Sequence, residues 1–327
     1  MSTMSDACRE LLQQSRHYAP LYGNRLANHL PMALLALDRL GADADTMRRF
    51  STAYARRLLP TVPAASGIDP HDYLGSAGDY PRFVRFFQDR IREAGVEAVL
   101  RDWVPVLMPG LAASAFHAMI RLAYAIEGGL ADEISPALAF WASEYATLPL
   151  SLEPGEGSLD EIAERLRARV AGHVFKPGII IDKMCEIAWD PALGGAVQPM
   201  AAPPLADIAR FALQAYARRE DFTLLHIVTG CHAFRIVQRY AGDQPLAVRY
   251  LWQAALAAWL TIVAAPPGQA GKGEGRPAPG AEAIAARAVL SSDDHVIKFC
   301  YSALCEYREY GDPGYLMAAG RKLALAA

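Results

Sequence analysis

Of the chain's eight histidines, five lie inside apolar runs, and these are the residues best suited to chemistry. His29 opens an apolar segment, His117 lies in AASAFHAMIRLAYA, His226 and His232 share FTLLHIVTGCHAFRIV, and His295 lies in SSDDHVIKFCYSALC. His17, His71 and His173 fall at segment ends or in polar turns and read as solvated. A lone histidine on an apolar helix face is most often a core side chain with one hydrogen bond. Five of them on four segments point further. Imidazole is the commonest ligand for iron, zinc and copper, and helical bundles build metal sites from inward-facing side chains on several helices. His29, His117, His226 and His295 are therefore the candidate ligands. His226 and His232 are separated by roughly 240° on a helix of 3.6 residues per turn. Both meet one point only if Thr229-Gly230 distorts the helix, so His226 ranks as the ligand and His232 as its neighbour.

Lys298 adds to this set. Ser291 and Ser292 offer an N-cap and Asp293 and Asp294 suit a positive helix end, which places His295 in a first turn and Lys298 one turn on. Its neighbours Val296, Ile297, Phe299 and Cys300 are apolar, and an ammonium among them is costly unless paired. Either the stem packs while the amine reaches solvent or Asp294, or burial lowers its pKa until the neutral amine is populated. A neutral amine adds carbon dioxide to give a carbamate, an anionic oxygen ligand for an otherwise all-histidine site.

The elements that position these residues read as helices. Asn28 precedes HLPMALLALDRLG, with Pro31 in the first turn, leucines at helical spacing and Gly41 as a stop. Asp79, Ser158 and Pro204 lead into similar amphipathic units. KPGIII at Lys176 is the best strand candidate and too brief to build a sheet. The expected fold is all-α, one helical domain over residues 1–327 with a subdivision near 190–204 and a flexible Pro/Gly-rich loop at 265–280.

Composition narrows the function. With 53% apolar residues, 20% charged and a net charge of −3, the chain reads as globular, and its scattered cations lack the footprint of a nucleic-acid binder. The run LWQAALAAWLTIVAA from Leu251 falls short of the roughly 20 residues a membrane span needs and reads as a core helix. Five cysteines without a C-x-x-C pair, and no secretory signal pattern, favour reduced thiols in the cytoplasm. The loop Gly271-Lys272-Gly273-Glu274-Gly275 lacks the Ser or Thr of a phosphate-binding loop and the flanking strand of a dinucleotide fingerprint.

YGNRLANHLPMALLALDRLGA at Tyr22, FHAMIRLAYAIE around His117, HIVTGCHAFR around His226 and DDHVIKF around His295 resemble the questin oxidase family. The resemblance implies a helical oxidoreductase that opens anthraquinone and related polyketide rings in a Baeyer–Villiger sense, with molecular oxygen and NADPH. It also implies that His29, His117, His226, His295 and Lys298 match polar positions within apolar helices. Since no flavin-type glycine motif is present, iron(II) or another transition metal held by imidazoles is the expected cofactor. In that reading Arg121 or Arg235 steadies a phenolate or quinone oxygen and His232 transfers the proton. Two further readings stay open: the same fold with a borrowed flavin or no metal, and a helical interaction module whose histidines are structural.

Overall fold

Capping side chains fix where several of the helices begin. The computed structural model describes residues 4–148, 157–190, 203–263 and 278–325. Among them fifteen helices follow in order: α1 (Asp6–Ser15), α2 (Leu30–Arg39), α3 (Ala44–Ala55), α4 (Tyr80–Ala94), α5 (Val96–Leu107), α6 (His117–Gly128), α7 (Ala131–Ser143) and α8 (Leu159–Val170). Then come α9 (Ile180–Trp189), α10 (Leu205–Arg218), α11 (Phe222–Val237), α12 (Gln244–Val263), α13 (Ala281–Ala288), α14 (Asp294–Tyr310) and α15 (Gly314–Lys322). The class is all-α. Its sheet content among the described residues is one hairpin, β1 (Leu21–Tyr22) antiparallel to β2 (Leu26–Ala27).

Ser158 and Glu161 close a reciprocal capping box on α8, and Asp43, Asp221 and Asp293 accept backbone N–H groups at the starts of α3, α11 and α14. Three local expectations are corrected. His29 itself is the N-cap of α2, while the Asn28 side chain accepts from Leu30 N at 3.0 Å and donates to the Ala19 carbonyl at 3.1 Å. Asp293, not Ser291 or Ser292, caps α14, because Ser291 Oγ instead accepts from Asp293 N at 3.1 Å. The isoleucines of KPGIII begin α9 rather than a strand, since the Asp182 carboxylate accepts from Ile179 N at 3.1 Å and satisfies a first-turn donor.

The core runs along α11, which packs against α6, α10, α12 and α14, while α14 also meets α2 and α2 meets α6. Gly230 makes the α6 contact close: a Cβ there would stand 3.2 Å from the Phe116 ring. Gly230 thus admits a ring and does not break the helix, which runs unbroken from Phe222 to Val237. At 20 residues α12 is longer than its apolar run suggested, and it is the one described helix long and apolar enough to cross a membrane. Most of it is covered inside the fold, with Leu251, Trp252, Leu256 and Ala257 wholly buried. Of the expected subdivision at 190–204 and loop at 265–280, residues 191–202 and 264–277 lie outside the described residues.

Candidate metal centre

Four of the singled-out histidines form a closed quartet of rings. His29 stacks on His117 with centroids 4.5 Å apart, and His117 meets His226 at 4.6 Å. His226 meets His295 at 5.3 Å, and His295 meets His29 at 4.6 Å. The elements bring them together by their starts: His29 caps α2, His117 is the first residue of α6, His295 the second of α14, and His226 lies one turn into α11. One ring nitrogen from each of His29, His117 and His295 lies within 4.8 Å of the others.

What holds the rings decides which nitrogen is free. Nδ1 of His117 donates to the Ser114 carbonyl, and Nδ1 of His226 donates to the Phe222 carbonyl at 2.7 Å. A carbonyl only accepts, so in each ring the proton sits on Nδ1 and Nε2 carries a lone pair. Yet these two Nε2 atoms face each other at 3.0 Å. Two lone pairs at that distance repel, and a cation between them removes the repulsion. His29 Nδ1 pairs with Asp294, and His295 Nδ1 lies 3.3 Å from the same carboxylate, while Nε2 of both rings is buried without a hydrogen-bond partner. Carbonyl or carboxylate partners on the outer nitrogen are the arrangement that orients metal-ligating imidazoles.

The left-handed backbone before α6 serves this geometry. Ser114, Ala115 and Phe116 have φ of 49°, 54° and 69°, a run of non-glycine residues in a region L side chains avoid. The turn aims the Ser114 carbonyl back at the His117 ring. On α2, the backbone N–H of His29 donates to the buried Tyr54 hydroxyl at 3.0 Å.

Electrostatics keep the quartet neutral. Burial pushes the pKa of His29, His117 and His226 well below 6.5, and their mutual charge and that of Lys298 push the same way. His295 is lowered too, by burial first, with Asp293 and Asp294 opposing. Neutral imidazole is the form that binds metal. Lys298 is 4% exposed, and burial brings its amine down to about 8 against the pull of Asp294 and Asp293. Asp294 does not close an ion pair with it, since its carboxylate meets the two imidazoles instead.

His232 and Arg235 stand elsewhere. Because α11 is continuous, His232 faces a second polar cluster: Nδ1 is 2.8 Å from Glu306, Nε2 is 3.8 Å from Glu127, and Arg235 reaches Glu306 at 2.7 Å and Glu309 at 3.4 Å. Arg121 turns from the quartet toward α7, where its guanidinium lies 3.8 Å from the buried Glu133 carboxylate. His232 and Arg235 are held by carboxylates outside the quartet, and Arg121 faces Glu133 with its Nε and Nη1 buried and unpartnered, so the expected single site is not seen to include them. Asp294 and Glu306 were missed as partners. A signal existed for Glu306: Lys298, Ser302 and Glu306 recur every four residues along an otherwise apolar α14 face.

A family profile described as Questin oxidase-like matches residues 26–189, half of the chain. That stretch holds His29 and His117, while His226, His295 and Lys298 lie beyond it. No curated protein matches the chain.

Proposed function

For this chain, which belongs to the questin oxidase-like family, we propose an oxygen-dependent oxidoreductase that acts on an aromatic or quinone compound at a transition-metal site formed by His29, His117, His226 and His295. The family name is that of an oxidase. The observation that carries the site is the 3.0 Å approach of two Nε2 lone pairs, with the buried, unpartnered Nε2 atoms of His29 and His295 beside them. An all-imidazole donor set suits iron, copper or zinc, and oxygen chemistry favours iron. Iron(II) there supplies the one-electron chemistry that lets ground-state oxygen react with a closed-shell ring.

The chain's own residues do the rest. The Ser114 and Phe222 carbonyls and the Asp294 carboxylate fix the ring orientations. Burial of His29, His117 and His226 keeps bulk water from the reacting groups. Lys298 would complete the donor set as a carbamate: the neutral Nζ adds carbon dioxide, a nitrogen–carbon bond forms as one carbon–oxygen π bond breaks to leave the charge on oxygen, and the Nζ proton passes to water. Electrons beyond those of the substrate come from NADPH, as the resemblance implies, or from another donor. Five free cysteines suit the reducing cytoplasm.

Elemental analysis of the untagged protein beside His226→Ala and His295→Ala tests this directly. The expected result is about one equivalent of metal in the parent, lost in both variants. A parent that stays metal-free after anaerobic reconstitution with iron(II) sinks the ligand assignment. Lys298→Ala with full metal content removes the carbamate.

A further inference from the structure

The quartet is buried on three sides. His29, His117 and His226 are closed off from solvent, whereas the His295 side chain is 18% exposed and Phe222, lying over it, is 54% exposed. The Phe222 ring centroid is 4.6 Å from that of His226 and 4.6 Å from that of His295, edge-on or tilted to each. Other exposed apolar residues, such as Leu59, Val62 and Val174, carry no such contact with a candidate ligand, and single exposed residues of that kind are ordinary. Phe222 differs because its inner edge packs on two of the four imidazoles while much of its surface faces water.

We infer that Phe222 is the platform at the mouth of the site, on which a flat aromatic substrate stacks as it enters beside His226 and His295. This inference rests on the oxidase reading above and adds to it a residue that selects substrate by shape. Three chemical arguments support it. A phenyl face recognises a second ring by offset stacking and gains little from a non-planar guest. The position is rigid, since Asp221 caps α11 by accepting from Thr223 N at 2.7 Å, so an entering ring meets a surface that is already formed. Finally, the part of Phe222 that hydrogen-bonds His226 is its backbone carbonyl, which every substitution keeps. Replacing the side chain therefore leaves that hydrogen bond in place and tests the ring by itself.

The test uses the full chain with 1,8-dihydroxyanthraquinone as the probe. Its dissociation constant is measured by fluorescence quenching without turnover, for the parent, Phe222→Ala and Phe222→Trp, with metal content measured on the same samples. A weakening of roughly threefold to tenfold in Phe222→Ala, with affinity kept in Phe222→Trp and metal content unchanged, is expected from the loss of one stacking contact. Equal affinity in all three proteins, or no binding to the parent, overturns the platform. So does loss of metal in Phe222→Ala, which would make the ring a prop for the ligands. A metal-free parent that still shows the stacking loss keeps the platform and rejects the metal reading, so the two failures are told apart.

Discussion

Helix α11 carries two histidines six residues apart, and they live in opposite electrostatic worlds. His226 joins three other imidazoles and a lysine, and its pKa is driven well below 6.5 by burial and by that like-charged company. His232 is buried just as deeply, but the carboxylates of Glu306 and Glu127 outweigh the burial and hold its pKa up at about 9. Burial alone therefore does not set the protonation state of a core histidine; the partner does. The first cluster is four bases short of a cation. The second is a cluster of carboxylates around an imidazole and a guanidinium that ties α6, α11 and α14 together, although His232 Nε2 and one Glu306 oxygen have no hydrogen-bond partner.

The largest effect should come from breaking the second cluster. Glu306→Ala leaves an imidazolium and a guanidinium without their shared carboxylate, and the loss of a buried partner typically costs about 3–5 kcal/mol. Denaturant unfolding checks this, and a variant as stable as the parent would show that the cluster is solvated. His226→Ala, by contrast, should cost the metal-free protein less than Glu306→Ala, because the loss of buried packing is partly offset by removal of one lone-pair repulsion.

Stability against pH sharpens the contrast further. The quartet has folded pKa values below the unfolded value of 6.5, so as pH falls below 6.5 the unfolded chain takes up protons that the folded one refuses. Stability drops on that side, with a limiting slope of roughly 1.4 kcal/mol per pH unit per histidine. His232 has a raised folded pKa, so its contribution is complete below 6.5 and fades as pH rises through about 9. The lowered pKa of Glu306 gives a contribution present above its unfolded value and lost only in acid. The metal-free protein should be most stable near pH 6.5, and replacing His232 should flatten the alkaline limb and also reduce the Glu306 contribution on the acid side. Thermal melts from pH 5 to pH 9 read both limbs.

Smaller effects probe the scaffold behind the quartet. Gly230→Ala puts a methyl 3.2 Å from the Phe116 ring, and such overpacking costs about 1–3 kcal/mol. It should loosen metal binding as well, because Phe116 directly precedes His117. Ala115→Gly is the mildest change. At φ of 54° glycine relieves backbone strain, so this substitution should be neutral or stabilising by up to about 1 kcal/mol, where a glycine inside an ordinary helix costs about that much. A clear drop in melting temperature would contradict the strained turn.

Much of this was legible in the chain. Apolar spacing and capping residues predict α2, α4, α8 and α10, and a histidine amid apolar neighbours marks each ring of the quartet. Pairings across long sequence separations were not legible. Asp294 reads as a residue suited to a helix dipole, and only the fold brings it to His29, 265 positions away. Glu306 sits in CEYREYG, a stretch that looks like solvated surface, until α11 lays His232 and Arg235 against it. Arg121 shows the same limit: a position one turn from His117 gives the side chain's neighbourhood but not its direction, and its nearest carboxylate is Glu133 on α7, at 3.8 Å.

The ligands stand at helix beginnings, and that sets where the site tolerates change. His29, His117 and His295 are counted from the first residues of α2, α6 and α14, and His226 from one turn into α11. A residue inserted just after such a ring swings it by about 100° around the axis of the helix body behind it. One inserted in the last turn of the same helix leaves the ring in register. The first turns of these helices are thus the inflexible grammar of the site, and their last turns are where a change of length leaves it in place.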